Sequence, residues 1–202
     1  MELKRILYAA GLAFSLFSSL LLLATVAFQW SLIELFTPFL WPFVHGVVFL
    51  LFIIVLLAGL LLFLFTRIRT PLIVCVAALL MYALFPFTTV ILYVDFHRNL
   101  ADREQVIQQL ETKPILIQPD TSGVQAVIPL PLEYKHVSRG GGDVLLDSRS
   151  GKVLFFTFRG VVDNFSGFVY SPSGQEPQAD DFGGTLREIE RMKENWYWVR
   201  AD

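Results

Sequence analysis

An almost uncharged stretch at the amino-terminal end is the feature that most restricts what this chain can fold into. Between Ile6 and Thr66 there is one formal charge, Glu34, in 61 residues. A run of about 20 apolar residues forms a helix that crosses the hydrocarbon core of a bilayer. By contrast, residues 96–202 carry 12 Lys/Arg and 15 Asp/Glu, an ordinary density for a soluble domain. The sequence therefore predicts a membrane-embedded half and a soluble half, which excludes a soluble enzyme, a disordered chain and a coiled coil.

Three apolar segments are long enough to cross the membrane. They are predicted at residues 6–28, 39–65 and 72–94, so that residues 1–95 form a three-helix transmembrane anchor with a loop at 29–38. Pro86 falls inside the third segment and is expected to kink that helix. A cleaved signal peptide is disfavoured for the first segment, because its apolar run exceeds the roughly 7–15 residues of a signal core.

The basic residues that flank these segments predict their orientation. Lys4 and Arg5 precede the first segment, and Arg67 and Arg69 lie between the second and third, whereas the 29–38 loop has no Lys or Arg. By the positive-inside rule the amino terminus is cytoplasmic, so an odd number of spans places the carboxyl-terminal domain outside the cytoplasm. That domain has no cysteine, since Cys75 lies in the third segment. An exterior domain without disulfides fits a bacterial inner or plasma membrane.

His45 is the only ionisable side chain well inside a predicted span. Such residues can mark proton relays or metal sites. No second acid, histidine or cysteine is placed to share a relay, so the sequence favours a neutral imidazole bonded to a neighbouring helix or reaching the interface. A channel or transporter is also disfavoured, because the chain has no internal repeat and no pair of broken helices.

The soluble half is predicted to begin with an amphipathic stalk helix at residues 96–113, followed by an extracytoplasmic α+β domain at 114–202. A switch to two-residue periodicity and intervening turn residues predict the strands. They are Ile115–Gln118, Val124–Ile128, Tyr134–Val137, Asp143–Leu146, Val153–Phe158, Phe168–Ser171 and Trp196–Arg200. Thr185 and Glu188 match a capping box before a helix with an apolar stripe. The predicted fold is thus a three-helix transmembrane bundle followed by an antiparallel sheet with one packed helix.

Two turn segments invite a catalytic interpretation that the rest of the chain does not support. Asp181-Phe182-Gly183 matches the kinase metal-binding triplet, but the other kinase motifs are missing, so a turn is predicted. Gly140-Gly141-Gly142 lacks the Lys-Ser/Thr and the helix of a phosphate loop, so a flexible loop before a strand is predicted.

Evidence for an enzyme is weak. A hydrolase would need His136 close to a serine and an acid. The chain has no cysteine outside the membrane and no histidine pair, so no metal and no cofactor are predicted. Nucleic-acid binding is disfavoured because the soluble half has a net charge of 12 − 15 = −3 and no basic stripe.

An aromatic-rich stretch between Phe155 and Phe168 is the least ordinary part of the soluble half. It contains one Arg and one Asp, and aromatic and Arg side chains are over-represented in protein interfaces. The candidate interaction surface comprises Phe156, Phe158, Arg159, Asp163, Phe165, Tyr170, Trp196 and Trp198. The alternative is a core hairpin in which Arg159 and Asp163 pair across the turn.

These observations predict an accessory or scaffold subunit of an envelope complex that has no catalytic role. Its expected partners are the lipid bilayer and other membrane or envelope proteins. A domain that binds or senses a ligand or lipid is the first alternative, and it predicts a concave apolar pocket with a few polar groups. A membrane-anchored hydrolase is the second.

Overall fold

The computed structural model of the chain describes residues 2–112, 125–160, 164–179 and 181–202. It divides into two compact units, Met1–Tyr93 and Val94–Asp202. The first is built from helices and the second from a sheet with one helix, and they are called the helical unit and the sheet unit below. Helices together with an antiparallel sheet make the chain an α+β protein, as the sequence predicts.

Four α-helices account for the first 112 residues. They are α1 (Glu2–Ala27), α2 (Gln29–Thr66), α3 (Thr70–Leu84) and α4 (Phe87–Thr112). Within the described residues, α1 and α2 are each long and apolar enough to cross a membrane. The pair α3–α4 meets the same criteria only when taken together, and it is bent by 63°. The chain is thus consistent with a membrane protein.

Proline residues interrupt the helices at two places. The predicted kink at Pro86 is confirmed as a complete break between α3 and α4, because proline cannot donate the helical hydrogen bond. Inside α2, Thr37 adopts φ 68° and ψ 153°, immediately before Pro38. The predicted loop at 29–38 is wrong, since the residues before Thr37 are helical. Their apolar residues continue at helical spacing, which favours a helix over a loop.

Small side chains let the first three helices approach one another. Ser15, Ser18 and Ser19 of α1 are buried, and α1 contacts both α2 and α3. At Gly59 of α2, an added Cβ would lie 3.4 Å from the backbone nitrogen of Leu72. These positions pack within the chain, as small residues do between membrane helices.

Among the described residues, the sheet has six antiparallel strands in the order β1-β2-β3-β4-β6-β5. The strands are β1 (Gln125–Pro129), β2 (Asp143–Asp147), β3 (Val153–Arg159), β4 (Phe165–Tyr170), β5 (Leu186–Lys193) and β6 (Trp196–Ala201). β3 lies between β2 and β4 in the interior of the sheet, and a hairpin turn joins β2 to β3. The three glycines before β2 all have positive φ, which explains why glycine occupies that loop.

Several predicted elements of the soluble half differ from the structure. The predicted strand Tyr134–Val137 is a 3₁₀ helix, Leu132–Val137, and the predicted strand Phe168–Ser171 begins earlier, as β4 from Phe165 to Tyr170. The helix expected after Thr185 is wrong, because that segment is β5. The predicted strand Ile115–Gln118 lies outside the described residues.

Both faces of the sheet are covered. On one face, the Phe96 ring of α4 lies 5.2 Å from Phe168 and 5.8 Å from Trp196 between ring centroids. On the other, Leu154 and Val169 pack in a cluster with Phe182 of the short 3₁₀ helix Asp181–Gly183. The one packed helix is therefore the segment predicted as a stalk, which is helical to Thr112.

Candidate functional sites

A chain of three polar side chains links the first three helices. His45 on α2 lies with Nδ1 3.3 Å from Thr25 Oγ1 on α1 and with Nε2 3.1 Å from Tyr82 Oη on α3. The His45 and Tyr82 rings are stacked with centroids 6.1 Å apart. The chain Thr25–His45–Tyr82 thus joins the helices by hydrogen bonds between side chains.

The direction of each hydrogen bond in this chain follows from Thr25. Its hydroxyl donates to the carbonyl oxygen of Leu22 at 2.7 Å, so Thr25 Oγ1 can only accept from His45. His45 Nδ1 therefore carries the proton, and in the neutral ring Nε2 is an acceptor. Tyr82 must then donate its hydroxyl hydrogen to Nε2, which leaves the lone pairs of Tyr82 Oη as acceptors for another group.

A cavity of about 490 Å³ adjoins this chain within the helical unit. Its polar lining comprises Thr25, Gln29, Trp41, His45, Tyr82, Thr88 and Thr89. Gln29 Nε2 donates to Thr88 Oγ1 across the cavity wall at 3.3 Å. Apolar lining comes from Phe85 and Phe87 at the α3–α4 break.

The cavity lies where the helices are interrupted. Thr25 and Gln29 flank the α1–α2 junction, and Trp41 follows the break at Thr37 by about one turn. Non-helical backbone at membrane depth is tolerated where it is buried in protein or lines a water-filled cavity. The cavity at this end of the helical unit can therefore accommodate polar groups.

A second polar cluster lies in the sheet unit and carries charge. Arg103 of α4 is 1% exposed, and its Nη2 lies 2.6 Å from Asp95 Oδ2. Nε donates to the carbonyl oxygen of Val137 at 3.2 Å, and Nη1 to that of Phe96 at 3.4 Å. The guanidinium also lies over the Phe168 ring, 4.5 Å from its centroid. The buried guanidinium of Arg103 thus connects α4 with the 3₁₀ helix Leu132–Val137 and with β4.

Burial of this guanidinium has a cost that its partners offset. Desolvation lowers the pKa of Arg103, while the charge of Asp95 and the hydrogen bond to it raise the same pKa. An arginine stays charged in proteins even so. A buried charge is tolerated when it is paired and its remaining donors find acceptors, and here backbone carbonyls fill that role.

Two further carboxylates in the sheet unit are buried with partners. Asp181 Oδ2 accepts from Lys152 Nζ at 2.6 Å and from the backbone nitrogen of Gln178 at 2.8 Å. This pair explains the Asp-Phe-Gly string as part of a structural turn, as the sequence predicts.

Asp147, at the β2–β3 turn, accepts from Ser150 Oγ at 2.7 Å and from the backbone nitrogen of Arg149 at 3.0 Å. Burial alone would raise the pKa of Asp147, but the hydrogen bonds and the charge of Arg149 outweigh burial and lower it. The carboxylate therefore holds the turn in its ionised form.

The candidate aromatic surface is mostly part of the core. Four of its rings are buried, namely Phe156, Phe165, Trp196 and Trp198. Phe158 and Tyr170 are half-buried. Alternate residues of β3, β4 and β6 point to the two covered faces, which is why the rings lie inside. The four buried rings do not form an exposed contact surface in this fold.

Among the described members of that set, Arg159 is the exposed one. Its Nη1 lies 3.4 Å from Asp143 Oδ2, and its guanidinium lies over the Phe156 ring at 5.1 Å from the centroid. The partner expected from the sequence, Asp163, lies outside the described residues. The contacts that the structure describes for Arg159 are thus with Asp143 and Phe156.

His136 has an acid beside it on the surface of the sheet unit. Its Nε2 lies 2.8 Å from Asp102 Oδ2, and both side chains are largely exposed. Within the described ranges, no serine hydroxyl is hydrogen-bonded to this imidazole. The arrangement gives no support to the hydrolase interpretation.

Sequence reasoning singled out His45 but missed Tyr82, at one end of the neutral chain, and Arg103, at the centre of the charged cluster. Arg103 was visible only as one member of an amphipathic stripe, and its charge argues for exposure. Tyr82 lies in the middle of the predicted 72–94 segment, where an uncharged tyrosine does not stand out from its apolar neighbours. The Pro86 break close by was the signal that pointed to this end of the helices.

A scan against protein-family models finds no matching family, and searches of the curated proteins and of the solved structures find no match either.

Proposed function

We propose that this chain is an integral membrane protein that crosses the bilayer three times and has a cytoplasmic amino terminus. The crossings are α1, α2 and the bent pair of α3 with the start of α4. Lys4 and Arg5 at the start of α1, together with Arg67 and Arg69 between α2 and α3, support this orientation through the positive-inside rule. The sheet unit then lies outside the cytoplasm of a bacterial cell.

In this topology the chain acts as an accessory or scaffold subunit of an envelope complex, without a catalytic role. The observation that carries the proposal is that α4 is built into the core of the sheet unit. Phe96 is 0% exposed and Arg103 is 1% exposed, so the helix that follows the Pro86 break is also a structural part of the sheet. A domain whose core includes a helix in this way can present a well-ordered surface of its own to a partner.

The proposed partners contact apolar side chains that the helical unit leaves exposed. These include Phe14, Phe17 and Leu20 on α1 and Phe43 and Leu64 on α2. Lipid covers such side chains in any membrane protein, and neighbouring helices of a complex can replace part of that lipid.

Topology is tested by labelling single cysteines with a membrane-impermeant maleimide in intact spheroplasts. The background is Cys75→Ala, and the probes are Ser148→Cys in the β2–β3 turn and, as the matched control, Thr70→Cys at the start of α3. Ser148→Cys should be labelled in intact spheroplasts, and Thr70→Cys only after lysis. The reverse pattern would refute the orientation.

The accessory role is tested by purifying the full chain at native abundance in mild detergent and identifying what co-purifies. A stoichiometric membrane or envelope protein is expected. Arg103→Met, which loosens α4 from the sheet, should reduce the partner yield while the chain stays in the membrane, whereas the exposed-site control Arg200→Met should not. A lone monomer in every detergent would contradict the role.

A further inference from the structure

We propose that the cavity beside His45 binds uncharged, lipid-soluble phenols, that is, an aromatic ring that carries a hydroxyl group and an apolar tail. The cavity measures about 490 Å³, within the range of about 300–1,000 Å³ usual for small-molecule sites. It combines aromatic walls with a few polar groups, which is the usual composition of such sites. This site is independent of the accessory role.

The lining of the cavity selects an uncharged ligand. Among the described residues, the lining includes no Asp, Glu, Lys or Arg. A charged ligand in the helical unit would lose its hydration without gaining a counter-charge, which is strongly unfavourable. An uncharged molecule that also dissolves in lipid has no such cost and reaches the cavity from the bilayer.

The hydrogen-bond directions select a ligand that donates. Thr25 donates to Leu22, so the proton of His45 is on Nδ1, and the hydroxyl hydrogen of Tyr82 is used on His45 Nε2. Tyr82 Oη therefore offers lone pairs and no hydrogen to a molecule in the cavity. A hydroxyl group on the ligand fits this acceptor, whereas an ether or a carbonyl does not.

Thr88, unlike Tyr82, offers the ligand a hydrogen-bond donor. Its Oγ1 accepts from Gln29 Nε2 at 3.3 Å, and no described hydrogen bond uses the hydrogen of Thr88. This hydroxyl can therefore donate to a ligand oxygen. A phenolic oxygen both donates and accepts, so it is matched to Tyr82 and to Thr88.

The aromatic side chains select a ring in the ligand. Trp41, Phe85 and Phe87 all line the cavity, and the Phe85 and Phe87 rings already meet edge to face with centroids 4.7 Å apart. Aromatic rings prefer offset-stacked or edge-to-face contacts with other rings. A planar ring gains such contacts here, which an alkyl alcohol cannot make.

The test uses calorimetric titration of the full chain in lipid nanodiscs, with empty nanodiscs as background. The probes are para-heptylphenol, its methyl ether, and heptanol. Para-heptylphenol should bind saturably with one site per chain. The ether, which cannot donate, should bind about five to ten times more weakly, the usual effect of one lost hydrogen bond. Heptanol, which lacks the ring, should also bind more weakly.

Variants assign this preference to the cavity. Tyr82→Phe should remove the preference for phenol over ether, whereas Thr66→Val should keep it. Thr66 is the matched control because its hydroxyl donates to the Leu62 carbonyl oxygen at 2.6 Å, at the other end of α2. Helix content by circular dichroism shows whether each variant folds, and the ether comparison needs no variant at all.

The proposal is overturned by any of four results. These are no binding above the empty-nanodisc background, equal affinity for phenol and ether, heptanol binding as tightly as phenol, or an unchanged phenol preference in a folded Tyr82→Phe chain. The first result would indicate a cavity that holds only water or lipid tails.

Discussion

The helical unit and the sheet unit both bury polar side chains, but they differ in whether those side chains are charged. In the helical unit, Thr25, His45 and Tyr82 form a chain of uncharged partners, and none of the described residues 2–93 buries a charged side chain. In the sheet unit, Arg103 is buried against Asp95. Each unit uses its polar cluster to connect elements that are far apart in sequence.

The two clusters differ in how much unfolding free energy is lost when one partner is removed. A buried ion loses its counter-charge and is left unsolvated, at a cost of about 3–5 kcal/mol. Hydrogen bonds between side chains of membrane helices average only about 0.6 kcal/mol, because the unfolded chain in the membrane also finds partners. The charged cluster should thus be indispensable to its unit, while the neutral chain should be dispensable for folding and open to another use.

The largest expected effect is that of Arg103→Met. The substitution removes the ion pair with Asp95, three backbone hydrogen bonds and the contact with the Phe168 ring. The sheet unit should lose about 3–5 kcal/mol of unfolding free energy. Hydrogen–deuterium exchange of β3 and β4 in detergent-solubilised chain measures this.

Arg200→Met is the control for that experiment. Arg200 is exposed and pairs with Glu188 at 3.4 Å, so a change below about 1 kcal/mol is expected. Equal exchange rates in the two variants would show that buried charge is not what holds the sheet unit together, and the comparison between the units would fail.

Lys152→Met tests whether losing the partner of a buried charge also destabilises the sheet unit at a second ion pair, Lys152–Asp181. Of the described hydrogen bonds to the Asp181 carboxylate, it leaves the one from the Gln178 N–H, and a loss of about 3 kcal/mol is expected. Denaturant unfolding followed by the fluorescence of the buried Trp196 reports the change. If Lys152→Met loses no more unfolding free energy than Arg200→Met, the strong effect of a buried charge is limited to Arg103.

Asp147 makes the stability of the sheet unit depend on pH. Its folded pKa is lowered, below an unfolded value of about 3.9. Its contribution is therefore fully present above pH about 3.9 and is lost as the pH falls through the lower folded pKa. Asp147→Asn should cost about 1–2 kcal/mol at neutral pH and flatten this acid limb in pH titrations of unfolding. An unaltered acid limb would show that other carboxylates produce it.

The smallest expected effect is that of Tyr82→Phe on folding. It removes one hydrogen bond to His45, so a loss of about 0.6 kcal/mol is expected. Thermal unfolding of the helical unit in detergent, compared with Thr66→Val, measures it. A loss as large as that of Arg103→Met would erase the contrast between the two units.

Much of the fold could be predicted from the spacing of apolar residues and from helix-breaking prolines. The apolar runs predict α1 and most of α2, Pro86 predicts the break after α3, and short apolar runs bounded by turn residues predict β3 and β6. These signals are local, since each depends on residues that are neighbours in the chain. The candidate sites depend on contacts between residues such as Thr25 and Tyr82, which no local pattern reveals.

The error at β5 has a clear physical origin. Leu186, Ile189 and Met192 recur every third residue, which resembles a helical stripe. In the structure the strand has bulges between Leu186 and Glu188 and between Arg191 and Lys193. Each bulge inserts one extra residue and shifts the alternation, so a strand acquires the spacing of a helix. The capping-box match at Thr185 reinforced the wrong assignment.

The bulges in β5 also bear on how the molecule behaves at high concentration. β5 is the last strand on its side of the sheet, where an incoming strand from another copy would otherwise extend the ladder. A regular strand cannot stay in register past two bulges, and the neighbouring charges of Glu190 and Arg191 would have to be desolvated. Growth of the sheet from one molecule to the next is therefore disfavoured at this edge.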